Sequence, residues 1–293
     1  MLRQGPTSIT LSSSPEESTG RPRVGILGGG QLARMTADAA LGLGIDIVVL
    51  EREVGSPAGQ IVGTDREIVG DWRDRSTLAR LAERVDLITL ENEFVDPNAL
   101  AWLVDRGRPV YPGPETLRTV ADKLCQKEAL ASAGLPVARF RAVASEPDVI
   151  AAGQDFDWPI ILKSRRLGYD GHGNALIASA EQAAEAIAQL ARPSGQRPGM
   201  TEAGDLFVES FVPFVGELAV MVARGPDGET AVYPVVETYQ QDQICREVVA
   251  PARVPVDVER LARDAAVRAV AAVDAVGIVG AELFWLGDGS VIL

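Results

Sequence analysis

The hydrophobic patterning of this 293-residue chain changes once, near residue 112, and the change dictates two kinds of architecture in sequence. Up to that point short apolar runs alternate with helix-like stretches. Runs at 23–28, 45–51, 67–72, 86–91 and 109–111 read as strands, separated by helical stretches at 31–43, 75–84 and from Pro97 onward. Strands that alternate with helices need crossovers, so a parallel sheet with helices on both faces is expected over 23–112. Pro112-Gly113-Pro114 forms a turn and marks the boundary. Beyond it one long helix is expected over 115–133, stopped by Gly134 and Pro136. Strand-like pieces at 139–143, 159–163 and 175–178 follow, with a helix at 180–190 and a Pro/Gly/Ser-rich loop at 192–205. From Leu206 the segments LFVESFV, GELAVMVAR, TAVYPVVE and ICREVVA alternate apolar and polar residues and connect through Gly-Pro-Asp-Gly. They are expected to form one antiparallel set. A helix at 257–276 and a strand at 280–286 with a Gly-Asp-Gly hairpin turn complete the pattern. The fold class is therefore α/β followed by α+β.

Composition removes several function classes. Apolar residues make up 46% of the chain, enough for a substantial core. With 28 basic against 41 acidic residues the net charge is −13, the wrong sign for a general nucleic-acid or membrane-surface binder. Any anionic ligand must be held locally by placed amides and a few basic side chains. Two widely spaced cysteines, Cys125 and Cys245, exclude a zinc ribbon and a disulfide scaffold and fit a reducing cytoplasm. A sole histidine, His172, excludes any site that needs two. No run of about 18 uncharged apolar residues suggests a membrane span. The polar stretch 1–22 lacks the apolar region of a secretory signal and reads as a disordered tail.

Four segments carry candidate chemistry. Gly28-Gly29-Gly30-Gln31-Leu32-Ala33, between a strand and a helix, matches G-x-G-x-x-A, and Glu51 ends the next strand. That arrangement serves either a dinucleotide-binding site or a tight turn. Ile160-Ile161-Leu162-Lys163 places a lysine at the end of a buried strand, ahead of a basic, glycine-rich loop that includes Gly168, Tyr169, Asp170, Gly171, His172, Gly173 and Asn174. A lysine and loop amides of this kind can hold phosphates, while a solvated hairpin loop is the alternative. Leu206 to Val212 is an apolar strand with a lone Glu209, and Glu217 follows. Such a strand can read an adenine edge through its backbone while a carboxylate takes ribose hydroxyls; an ordinary alternating strand is the alternative. Glu282 sits in the apolar strand around Ala281-Glu282-Leu283-Phe284, where it faces solvent or binds a hard cation.

In this order the four segments resemble the ATP-grasp superfamily. VGILGGGQLARM, TLENEFVDPNAL, ADKLCQKEALASAGLPV, ILKSRRLGYDGHGN, VESFVPFVGELAV and VYPVVETYQQDQICREVVAPA are similar to the 5-(carboxyamino)imidazole ribonucleotide synthases of purine biosynthesis. The likeness runs from Arg23 to Leu293. It implies a Rossmann-like pre-ATP-grasp substrate domain over 23–112 and a two-subdomain ATP-grasp fold over 113–293. It implies an ATP-dependent carbon–nitrogen ligase: bicarbonate is phosphorylated by ATP, with Mg²⁺, and the amino group of aminoimidazole ribonucleotide is then carboxylated.

The resemblance also implies roles. Lys123 and Lys163 contact ATP phosphates, and Gly168 to Asn174 form a lid loop. Tyr169, Asp170 and His172 also face the nucleotide substrate. Glu209, Ser210, Phe211 and Val212 form the adenine strand, Glu217 holds the ribose, and Gln240 lies near the nucleotide. Glu282 is one Mg²⁺ ligand, and Gly30, Gln31, Glu91 and Glu93 border the imidazole ribonucleotide and bicarbonate. A homodimer is implied for the full-length form, with no nucleic-acid or membrane partner. Phe94 stands where a histidine is common.

After the Gly287-Asp288-Gly289 turn the returning strand has only Ser290-Val291-Ile292-Leu293. The family continues into an Asn-Glu pair that supplies a second Mg²⁺ carboxylate, and then into a further small domain. The chain is accordingly expected to be a fragment with weak Mg²⁺ binding and impaired turnover. Two other readings stand beside the ligase: a nucleotide-binding module without turnover, and a dinucleotide-dependent oxidoreductase built on Gly28 to Ala33 and Glu51.

Overall fold

The computed structural model describes residues 20–166, 173–190, 205–241 and 244–293, and the expected tail, the tip of the glycine-rich loop and most of the 192–205 loop lie outside them. The chain divides into two compact units, Met1–Glu91 and Asn92–Leu293.

The first unit holds β1 (Arg23–Leu27), α1 (Gln31–Leu43), β2 (Asp46–Glu51), α2 (Gly59–Val62), β3 (Glu67–Val69), α3 (Arg75–Ala82) and β4 (Leu87–Leu90). Its sheet runs in the order β3-β2-β1-β4 and is parallel throughout. Such a sheet is covered on both faces, which is why Val48, Val49 and Leu50 are consecutive and all buried. On α1 the residues that turn inward are Ala33, Ala37 and Ala40, and they pack against Ile26, Ile47 and Val49. Gly44 ends that helix at φ 70°, and its N–H closes on the carbonyls of Ala40 and Leu41.

The second unit opens with α4 (Pro97–Val104), α5 (Pro114–Val120) and α6 (Lys123–Ser132). The single helix expected over 115–133 is therefore two. Asp122 breaks it: its extended backbone caps α6, and its carboxylate accepts from the N–H groups of Leu124 and Cys125. The strand expected at 109–111 amounts to an isolated bridge at Val110.

Next come β5 (Phe140–Val143), α7 (Glu146–Phe156), β6 (Ile160–Ser164), β7 (Asn174–Ile177), α8 (Ala183–Leu190) and β8 (Leu206–Ser210). These strands form an antiparallel sheet in the order β5-β8-β6-β7. LFVESFV was expected to open the later antiparallel set. It instead inserts as β8 between β5 and β6, because Leu206 and Val208 complete the core built from Ile160, Leu162 and the apolar faces of α7 and α8.

The larger sheet contains β9 (Phe214–Arg224), β10 (Thr230–Val232), β11 (Val236–Gln241), β12 (Ile244–Val249), β13 (Gly277–Leu286) and β14 (Val291–Ile292). Its order is β12-β11-β9-β13-β14, with β10 paired to β9 through the expected Gly-Pro-Asp-Gly turn. Every recorded pairing in it is antiparallel. α9 (Val256–Ala272) lies on one face, where Val258, Ala262, Ala265, Ala266, Ala269 and Val270 recur at helical spacing against Leu218, Val220, Val222, Ala281 and Leu283. Small alanines let the helix approach the sheet closely. The period of two then leaves Glu217, Ala219 and Met221 of β9, with Glu282 of β13, on the opposite face.

Candidate active site

The second unit gathers its charges on the faces its two sheets turn away from their cores. In the smaller sheet Ile161 stands opposite Glu209, and Lys163 opposite Phe207. Directly opposed residues share a face, so Lys163 and Glu209 are diagonal neighbours on the side away from the α7–α8 core. Lys163 Nζ lies 2.5 Å from Glu209 Oε2. Glu209 is only 5% exposed, and its other oxygen is 3.0 Å from Lys127 Nζ, which α6 projects onto it. Burial pushes the Glu209 carboxyl up, but the two lysines outweigh it and hold the group below the ordinary carboxylate range. Lys127 also donates to the Leu293 carbonyl at 2.8 Å.

Lys123, the first residue of α6, lies within electrostatic reach of Lys163, Glu209, Glu93 and Glu282. Burial and the positive charge of Lys163 lower its pKa, and the three carboxylates oppose that shift. Lys123 is thus a cation that senses charges from both sheets. Its position is set by Asp122, which accepts from Arg165 Nε at 3.0 Å, Arg165 Nη2 at 2.7 Å and Arg166 Nη2 at 2.7 Å. The Lys123 N–H adds a bond to the Arg165 carbonyl at 2.8 Å. These contacts tie the start of α6 to the end of β6.

On the larger sheet Glu282 is opposite Ala219, and Glu217 opposite Phe284, so the two carboxylates are diagonal neighbours on one face. Burial, and then the nearby Glu282 charge, push the Glu217 carboxyl up. Glu282 offers the hard oxygen donors that a divalent cation takes. Among the described residues no group of three or more His, Cys, Asp or Glu side chains converges as a ready cage.

Other expected residues fall as follows. Ser210 ends β8 and its N–H donates to the Arg139 carbonyl at 2.9 Å. Phe211 is 44% exposed and Val212 half-buried, immediately after β8. Gln240 is exposed on β11 at a register shift opposite Cys245. Gly173 (φ 98°) accepts from the Ser164 N–H at 2.8 Å, and Asn174 stands opposite Lys163 at the start of β7. Gly168, Tyr169, Asp170, Gly171 and His172 lie outside the described residues. Sequence reasoning missed Lys127 and Asp122. Lys127 occurs one helical turn after Lys123 in ADKLCQK, a spacing that could have flagged it.

The first unit carries the glycine-rich turn. Gly29 N–H donates to Glu51 Oε2 at 2.8 Å, and Gly30 N–H to Glu91 Oε2 at 2.8 Å. The amides that would cradle a pyrophosphate are satisfied by the protein's own carboxylates. The glycines are there for that close approach: a Cβ on Gly30 would lie 2.4 Å from Glu91 Oε1, and one on Gly28 2.6 Å from Glu91 Oε2. The dinucleotide reading therefore loses both its anion cradle and its ribose acid, Glu51. Gln31 opens α1 and is exposed, and in the second unit Glu93 and Phe94 are exposed.

A strand-end lysine on a small antiparallel sheet, a second lysine on a helix, and carboxylates on a larger antiparallel sheet are the layout of an ATP-grasp domain. Residues 128–293 match the family model for that domain, and residues 22–121 match the ribonucleotide synthetase preATP-grasp domain. The chain is 40% identical over 269 residues to an N5-carboxyaminoimidazole ribonucleotide synthase of Synechococcus elongatus, covering 90% of this chain and 64% of that one. It is 40% identical over 270 residues to a phosphoribosylaminoimidazole carboxylase of Schizosaccharomyces pombe, covering 92% and 47%. A crystal structure of an Aspergillus clavatus N5-carboxyaminoimidazole synthase, in complex with ADP and 5-aminoimidazole ribonucleotide, superposes with a TM-score of 0.83 at 35% identity, covering 94% of this chain and 69% of that one. The chain belongs to the ATP-grasp family, and within it to the N5-carboxyaminoimidazole ribonucleotide synthases. It spans about half to two thirds of the length of these curated relatives.

Proposed function

We propose that the protein is an ATP-dependent carbon–nitrogen ligase of purine biosynthesis that converts 5-aminoimidazole ribonucleotide, bicarbonate and ATP to N5-carboxyaminoimidazole ribonucleotide, ADP and phosphate. The observation that carries the reading is the Lys163–Glu209–Lys127 triad with Lys123 beside it, in a chain of this family. A bicarbonate oxygen attacks the γ-phosphorus of ATP, and ADP leaves. The resulting carboxyphosphate releases phosphate and CO₂, which the 5-amino group captures as a carbamate with loss of its proton.

Little covalent chemistry is asked of the protein, so its task is positioning and charge neutralisation. Lys123 and Lys163 bind the phosphates. Glu209, Ser210, Phe211 and Val212 flank the adenine, with Gln240 near the nucleotide and Glu217 at the ribose. Gly168 to Asn174 cover the phosphates, and Tyr169, Asp170 and His172 also meet the imidazole ribonucleotide. Gly30, Gln31, Glu91 and Glu93 border that substrate and bicarbonate. Glu282 would hold Mg²⁺, which when bound neutralises phosphate charge. The division into a substrate domain over 23–112 and an ATP-grasp domain over 113–293 belongs to the same reading, as do a homodimer of the longer form and a cytoplasmic setting. Cys125 and Cys245 are free thiols. Among the described residues no helix is long and apolar enough to cross a membrane.

The test is ADP formation with ATP, Mg²⁺, bicarbonate and 5-aminoimidazole ribonucleotide. The expected result is release that requires both co-substrates and is lost in Lys163→Ala. ATP protection against unfolding without any ADP release would favour a nucleotide-binding module. Protection by NADH or FAD, and none by ATP, would overturn the reading.

A further inference from the structure

Glu209 is a buried carboxylate held by two lysines from two different elements, and the two are not equivalent. Lys127 Nζ is gripped from both sides, by Glu209 Oε1 at 3.0 Å and by the Leu293 carbonyl at 2.8 Å, and its side chain is 15% exposed. Lys163 is more open at 24%, and among the described residues its ion-pair partner is Glu209 alone. The functional reading asks Lys163 to bind a ligand phosphate. To do so it must loosen its hold on Glu209, which would strand a buried charge unless another cation stayed behind. Lysine has a flexible stem and rotatable donors, so the move is feasible for the singly anchored Lys163 and not for the doubly anchored Lys127.

We propose that Lys127 is a positioning residue for nucleotide binding: it is the standing counter-ion of Glu209 and frees Lys163 to engage the ligand phosphates. This rests on the ATP-binding reading above. Lys127 does not touch the nucleotide. It works by keeping Glu209 compensated in both the empty and the bound states. Without it, Lys163 is the sole partner of a buried carboxylate and is trapped there. Lys123, whose positive charge repels Lys163, favours the same release toward a shared anion.

The test is calorimetric ATP binding, in Mg²⁺, by the full 293-residue chain and by Lys127→Gln, Glu209→Gln and the double variant. Lys127→Gln is expected to weaken ATP binding by about tenfold or more, since a desolvated ion pair must then be broken on binding. In the Glu209→Gln background the same Lys127→Gln change is expected to alter affinity by less than about threefold, because the trapping carboxylate is gone. A merely structural lysine would not show this dependence on Glu209. That second comparison contains no stranded carboxylate, so a loss above about threefold there would overturn the proposal even if Lys127→Gln alone fails to fold. Unchanged affinity in Lys127→Gln, or an equal loss with and without the Glu209 carboxylate, would overturn the proposal. A wild-type chain that binds no ATP would overturn the functional reading and the proposal together.

Discussion

The Asp122 carboxylate accepts both Nε (3.0 Å) and Nη2 (2.7 Å) of Arg165, a residue 43 positions later in the chain. Its side chain is almost completely buried, and Arg166 adds a third contact at 2.7 Å. One carboxylate thus caps α6, where Lys123 begins, and holds the end of β6, where Lys163 sits.

Removing that carboxylate leaves the part-buried Arg165 guanidinium without its carboxylate partner and uncaps a helix, while the half-exposed Arg166 keeps Asp205. Asp122→Ala is expected to cost about 3 kcal/mol or more of stability, measured by urea unfolding. Asp122→Asn keeps the cap acceptor and should cost less. A loss below about 1 kcal/mol in Asp122→Ala would show that the arginines re-solvate without penalty.

The glycine-rich turn of the first unit makes a separate prediction. A Cβ at Gly30 meets the Glu91 carboxylate at 2.4 Å, so Gly30→Ala must displace it from the amides it caps. A loss of about 2 kcal/mol is expected in thermal or urea unfolding. Gly30→Ala combined with Glu91→Ala should cost less than the two changes summed, since the clashing atoms are gone. Strict additivity would count against Glu91 as the reason glycine is needed.

Glu217 predicts a pH dependence of a particular sign. Burial and Glu282 raise its pKa above the ordinary 4.5, so the folded state binds this proton more tightly than the unfolded chain. The ionised group therefore opposes folding as pH rises above that value, and has no effect well below it. Glu217→Gln should stabilise the chain at pH 7, with the gain fading as the pH falls into the range where the carboxyl is protonated in both the folded and unfolded chain. A gain that persists unchanged into acid would mean that charge is not its source.

Strand-end Lys163, Glu209 in its apolar strand and Glu282 were legible because each breaks a local pattern. A charged residue in a run of buried positions signals itself wherever the run ends up. Lys123 came instead from likeness to a family, and the structure sets it electrostatically near Lys163, Glu209 and Glu282. Lys127 was missed because its one-turn spacing from Lys123 marks only a shared helix face and does not break a local pattern. Its role depends on what α6 packs against.

The parallel sheet of the first unit and one antiparallel set in the second were determined by sequence alone, because apolar period and glycine-proline punctuation are local properties of the chain. Tertiary structure decided which neighbours each element acquired. Alternation in LFVESFV marks a strand, yet only the fit of Leu206 and Val208 into the α7–α8 core places it between β5 and β6. Gly28 to Gly30 have the composition of an anion cradle, but in the fold Glu51 and Glu91 reach those amides first. The helix expected over 115–133 breaks at Asp122, a capping residue whose buried charge is tenable only because Arg165 and Arg166 converge on it. Buried charges and backbone donors are satisfied by whichever groups folding brings near, and residues 43 or 61 positions apart give no local sign that they will meet.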